Sequence, residues 1–128
     1  MADMSDVGYW SVKCGGFGGG IEIEKNNELS MNINDNNLYI SAYAKKVGGG
    51  TKIFLGDIVE SLNDVVNWGN ISRNKPIAEV SFQDGKLYLS WKGFFDVKKS
   101  RYIWDKEPDF VVASGRKKDI KMEICNFE

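Results

Sequence analysis

The 128-residue chain contains no histidine, so the Ser-His-Asp and Cys-His relays and the commonest zinc ligand are excluded. A hydrolase without histidine needs two carboxyls about 5–9.5 Å apart in a cleft. Glu22 and Glu24 offer such acids on one strand face, but acids at this spacing ordinarily form a solvated surface. The chain therefore reads as a binding protein rather than an enzyme, with no catalytic residue assigned and a carboxylate-based hydrolase as the third choice.

Two glycine clusters suggest a phosphate cradle, yet their spacing refuses one. Counted from Gly15, the dinucleotide fingerprint meets Phe17 where it needs glycine; counted from Gly16, its last glycine falls on Ile21. Neither cluster leads into Gly-Lys-Ser/Thr. Glycines that let a strand bend or approach a neighbour are the simpler reading, with a recognition loop around Phe17 as the other. Asn32, Asn34, Asp35 and Asn36 resemble a piece of a calcium loop, but the glycine and closing glutamate at the required spacing are missing, which leaves a turn. Asn70-Ile71-Ser72 matches a glycosylation acceptor, which matters only in a eukaryotic secretory setting. No cofactor and no metal is expected.

The elements that position these residues are mostly strands. Tyr9–Cys14 alternates Trp10, Val12 and Cys14 against Tyr9, Ser11 and Lys13. Ile21–Glu24, Glu28–Ile33, Leu38–Tyr43 and Thr51–Leu55 continue the pattern between turns rich in Gly and Asn. Asp84-Gly85 joins Ile77–Gln83 to Lys86–Trp91 in a tight type I′ hairpin. Phe94-Phe95, Arg101–Trp104, Phe110–Ala113 and Asp119–Phe127 read as further strands, the last with Ile120, Met122 and Ile124 on one side. Ile58, Val59, Leu62, Val65 and Val66 recur instead at three- and four-residue steps, with Asp57 as N-cap and Gly69 as stop, and predict one amphipathic helix over about 57–68. The fold class is mainly β (α+β): an antiparallel barrel or sandwich of about nine strands with that one helix. Residues 1–8 read as a disordered segment or expression scar, and 9–128 as a single β-rich domain.

With 42% apolar and 27% charged residues the chain resembles ordinary soluble domains, and no apolar run approaches the ~18 residues of a membrane helix. Its net charge of −1 hides an uneven split: residues 1–85 carry seven basic and eleven acidic side chains, residues 86–128 ten and seven. Arg116, Lys117, Lys118 and Lys121 make a modest basic patch of solvated turn and strand residues, so nucleic acid is not an expected partner. Tyr39, Tyr43 and Tyr88 fall on the outward side of their strands, and Trp68 and Trp104 flank polar turns. Together with Phe17 they are the candidate partner contacts, since aromatic side chains bury much area at little entropic cost.

Cys14 and Cys125 lie near the two ends of the chain. They form either a bridge, if the first and last strands are neighbours, or two buried thiols. In plan the chain resembles small bacterial immunity proteins and periplasmic lysozyme inhibitors, with one cysteine in Val12-Lys13-Cys14-Gly15-Gly16 and the other in Glu123-Ile124-Cys125-Asn126 around a compact β domain. The resemblance carries no signature motif and assigns no inhibitory residue. It implies a toxin or cell-wall enzyme as protein partner and a periplasmic home. Met1–Asp6 offers no export signal, so an extracytoplasmic location is expected if the cysteines are bridged, and a cytoplasmic one otherwise. The alternative function is a β-barrel holding a small molecule or a carbohydrate.

Overall fold

The computed structural model describes residues 7–16, 19–35, 37–62, 66–104 and 106–125. Among them are ten strands: β1 (Gly8–Ser11), β2 (Gly20–Ile23), β3 (Glu28–Asn34), β4 (Leu38–Val47), β5 (Gly50–Ser61), β6 (Ala78–Gln83), β7 (Lys86–Trp91), β8 (Phe94–Asp96), β9 (Arg101–Ile103) and β10 (Ile120–Cys125). One short helix, α1, spans Asp109–Ala113. Eight strands close a barrel in the order β1-β10-β7-β6-β5-β4-β3-β2, and β8 pairs with β9 outside it. All barrel neighbours are antiparallel. The result is an up-and-down barrel with the β8–β9 hairpin and α1 inserted between its last two strands. β1 starts at Gly8, which pairs with Ile23, so the ordered domain takes in that residue as well.

Alternation explains the closure. Leu29, Met31 and Ile33 of β3, Leu38, Ile40 and Ala42 of β4, Ile21 and Ile23 of β2, Leu87 and Leu89 of β7, and Ile120 and Met122 of β10 all point inward and are buried. Eight strands leave an interior that side chains can just fill, and these residues fill it as one apolar cluster. Asp84 and Gly85 both adopt positive φ, 52° and 76°, as the tight β6–β7 turn demands.

The first and last barrel strands are indeed neighbours, with Tyr9 opposite Cys125 and Ser11 opposite Glu123. After Ser11 the chain leaves the sheet, and Cys14 bonds to Cys125 with Cα atoms 5.4 Å apart. This disulfide staples the seam at which the barrel closes.

The helix expected over 57–68 is not formed. Asp57–Ser61 belongs to β5, Asn63–Val65 lies outside the described residues, and Trp68–Asn70 is a single 3-10 turn capped by the Asn67 side chain. Two bulges account for the misleading pattern. Ala42 pairs with Leu55 and Ile40 with Ile58, so Gly56 and Asp57 face the single residue Ser41; Tyr39 then pairs with Glu60, which leaves Val59 as a second extra residue. Each extra residue resets the period of two, and the resulting steps of three imitate a helical stripe. Gly56 is required at the first bulge, because a Cβ there would lie 2.8 Å from Ser41 Oγ, the atom that accepts the Asp57 N–H at 2.8 Å. Val59 and Leu62, expected in the core, are 69% and 67% exposed.

Phe110–Ala113, expected as a strand, lies instead within α1. Four apolar residues cannot declare their own period. The flanks decide: Pro108 precedes Asp109 in the first turn, and Gly115 (φ +79°) ends the helix. Its N–H reaches Val112 O at 3.0 Å while Arg116 N–H reaches Val111 O at 2.8 Å, the paired bonds of a Schellman stop.

The β5–β6 connection, the β8–β9 hairpin and α1 pack together on the core. Ile71 bridges to Asp96, Ser72 N–H donates to Phe95 O and Val97 N–H to Asn70 O, both at 2.9 Å. Phe94 meets the edges of Trp68 and Trp91 at centroid distances of 4.9 and 5.4 Å, and Trp91 meets Phe110 at 5.4 Å. This aromatic plug is continuous with the barrel interior.

Candidate functional site

The interior is occupied by side chains, and grooves lie on the outside. One apolar external groove crosses the wall from β1 to β5. Its position follows from strand register: Tyr9 pairs with Glu22 and Glu22 with Ser30 in one row; Gly20 pairs with Asn32, Asn32 with Tyr39 and Tyr39 with Glu60 in the next. Residues opposite each other in antiparallel strands share a face, so these two rows stand side by side on the outer surface. Gly20 contributes no side chain to its row, and the Tyr9 ring takes up that space; a Cβ at Gly20 would overlap the phenol. The second bulge of β5 turns Val59 outward to form the far wall. The groove has a volume of about 250 Å³ and is lined by Tyr9, Glu22, Ser30, Asn32, Tyr39 and Val59 over Met31 and Ile40.

A network of polar contacts holds the groove's shape. Tyr9 OH and Ser11 Oγ donate to Gly19 O at 3.3 and 2.9 Å. Tyr39 OH donates to Asp35 Oδ1 at 3.4 Å and Asn32 Nδ2 to the same oxygen at 3.1 Å. Ser30 Oγ donates to Glu24 at 2.8 Å. The Asn32 and Asn34 side-chain oxygens are buried without a hydrogen-bond donor. Of the residues that resemble a calcium loop, Asn36 lies outside the described residues, while Asn34 and Asp35 form a knot between segments: Asn34 Nδ2 donates to Glu107 O at 2.9 Å and to Asp109 Oδ1 at 3.3 Å, and Asp35 N–H to Asp109 Oδ2 at 2.8 Å. Among the described residues no group of three or more His, Cys, Asp or Glu is placed to hold a metal ion.

The groove's electrostatics have one sign. Tyr9 ionises above the ordinary phenol range, chiefly because it is partly buried, and then because Tyr39, Asp35 and Glu22 disfavour a further negative charge. Tyr39 is raised as well, by burial first and then by the charge and hydrogen bond of Asp35, with Glu60 and Asp109 adding to it. A folded-state pKa above the unfolded value stabilises the fold below pH ~10 and loses that contribution as the pH rises through the folded pKa. In an absorbance titration of the phenolates these two tyrosines, together with Tyr102, which burial also raises, are therefore expected to ionise late, and Asp35→Asn to bring Tyr39 back toward the ordinary range. Superimposable curves for both proteins would contradict this assignment.

Of the aromatic residues expected at a contact surface, among the described residues Tyr39 alone lines this groove. Phe17 lies outside the described residues. Tyr43, on the same strand, stacks on Phe54 at 5.6 Å beneath the Lys45 ammonium. Trp68 belongs to the aromatic plug, with its indole N–H on Ser61 Oγ at 3.4 Å. Tyr88 stands three strands away on β7, beside a polar groove that holds the Lys92–Glu79 ion pair. Trp104 lies over Gly93 and donates to Lys92 O at 3.0 Å, with 43% of its surface exposed. The sequence offers Glu22 only as half of an acid pair and Asn32 only as part of a calcium-like turn, and it marks neither Tyr9 nor Val59 as a site residue. Tyr9 and Glu22 carry the outward signature of alternation, but only register brings them together. Arg116, from the basic patch, forms a two-pronged pair with Glu107 at 2.7 and 2.8 Å.

Comparison with protein-family models, with curated proteins and with solved structures finds no match for this chain.

Proposed function

We propose that this chain is a non-catalytic binding protein, an inhibitor or immunity protein that blocks a bacterial toxin or cell-wall enzyme outside the cytoplasm. The observation that carries the reading is a barrel whose interior is already packed with its own side chains, while a groove walled by two tyrosines lies open on its outer surface. A ligand-carrying barrel would need interior space, so this packing favours a macromolecular partner over the small-molecule alternative. Aromatic walls that combine area with a polar tip suit a protein interface. The Cys14–Cys125 bridge is compatible with an oxidising compartment such as the periplasm. No helix of the described residues is long and apolar enough to cross a membrane.

The test is capture on the immobilised, oxidised protein from periplasmic and secreted fractions of the source organism, followed by titration of the captured partner's activity. A single stoichiometric partner whose enzymatic or toxic activity falls to the background at a 1:1 ratio is expected. The reading is overturned if no saturable protein partner appears across a range of salt concentrations, or if the partner's activity is untouched.

A further inference from the structure

We infer that the groove between Tyr9, Glu22, Tyr39 and Val59 is the docking site for a lysine or arginine side chain of a basic protein partner. The inference rests on the binding-protein reading above and adds the partner's chemistry to it. Among the described residues, the charged side chain that lines the groove is Glu22; Glu60 stands beside Tyr39 in the same row and Asp35 is bonded to its hydroxyl. No lysine or arginine is among the lining residues. Four basic side chains, Lys92, Arg116, Lys117 and Lys118, line a different groove together with Trp104. An acidic, partly apolar groove repels anions and attracts cations, and like-charge exclusion gives specificity as well as speed of encounter.

Shape and ring chemistry narrow the class further. The two phenols present π faces and oxygens, the pattern that attracts guanidinium and ammonium groups. Both phenols are neutral at ordinary pH, and burial with the surrounding acids pushes their ionisation higher still. The methylene stem of a lysine or arginine is matched by the outward Val59 side chain on the wall and by the tyrosine rings. A bulge that turns a side chain outward beside a recognition surface is a recurrent device, and Val59 is placed here by such a bulge.

The probe is a blocked tripeptide, acetyl-Gly-Arg-Gly-amide, with its lysine and citrulline counterparts, titrated into the ¹⁵N-labelled full chain at low salt. Saturable amide shifts confined to the surroundings of Glu22, Asn32, Tyr39 and Val59 are expected for the arginine and lysine peptides. The citrulline peptide, isosteric with arginine but uncharged, should bind at least about tenfold more weakly, as should the arginine peptide toward a Glu22→Gln, Glu60→Gln variant. Both substituted residues are exposed, and an unchanged thermal midpoint for that variant confirms its fold. Equal shifts from citrulline, shifts centred elsewhere, or no saturable shift overturns the inference. Failure here is separable from failure of the functional reading: a captured partner that binds Glu22→Lys, Glu60→Lys as tightly as the parent removes the groove and leaves the inhibitor. Arginine-peptide binding without any captured protein does the reverse.

Discussion

Replacing Cys14 and Cys125 together by serine is expected to lower the stability of the domain by about 4–5 kcal/mol, and its thermal midpoint by on the order of 15 °C. The bridge links residues 111 apart in sequence, so in the chain-entropy model it removes nearly the whole length of the unfolded chain from free sampling. Its location adds to the effect. β1 is four residues long and is held by β2 on one side and β10 on the other, so the seam between first and last strands is where the barrel would open. Urea unfolding of the oxidised, reduced and doubly substituted proteins decides the point. A loss below about 1 kcal/mol in both reduced forms would mean that the seam holds without its staple. Reduction should also weaken partner binding if the partner contacts Tyr9, because β1 carries that wall of the groove.

Phe94→Ala is expected to cost about 3–5 kcal/mol, as large-to-small substitutions of well-packed core aromatics do. Phe94 is 1% exposed and is touched by both Trp68 and Trp91, so truncation removes the centre of the plug and leaves two large rings facing a void. β8 lies outside the barrel sheet, and the surrounding hairpin can relax only by giving up the bonds that Phe95 and Val97 make to Ser72 and Asn70. Val59→Ala is the matched control. In a helix over 57–68 Val59 would be a core residue; as the exposed residue of a bulge it should change stability by no more than about 0.5 kcal/mol. Chemical unfolding of the two variants side by side tests the plug and the strand assignment together, and a large loss from Val59→Ala would restore the helix.

The contrast between these two residues marks how far local pattern can be read. Where the period of two is unbroken, as along Leu29, Met31 and Ile33 or around the Asp84-Gly85 turn, side-chain direction follows from backbone geometry and the strands were legible in the sequence. Where two bulges interrupt β5, the same rule applied to the same kinds of residue produced a helix. A bulge is specified by what lies across the ladder, here the hydroxyl of Ser41 against Gly56 and Asp57, and that partner is unknown until the strands are paired. Phe110–Ala113 failed for a related reason: its four apolar residues fit either period, and the Schellman stop at Gly115 and Arg116 decided it. The groove is a product of register. Tyr39 was marked by its outward position, but Tyr9, Glu22 and Asn32 become its neighbours only through β1–β4 pairing.

By itself the sequence determined that histidine is absent, that neither glycine cluster has the spacing of a nucleotide loop, that antiparallel strands predominate and that two cysteines lie near opposite ends of the chain. These are properties of composition, spacing and backbone periodicity, which act over a few residues and need no partner strand. The tertiary structure alone decided that the sheet closes as a barrel, that Cys14 meets Cys125, that Trp68 belongs to the core plug, and that an acidic, tyrosine-walled groove crosses the outer surface. Each of these depends on which distant segments lie side by side, and that is set by the collective burial of one apolar face around the whole barrel.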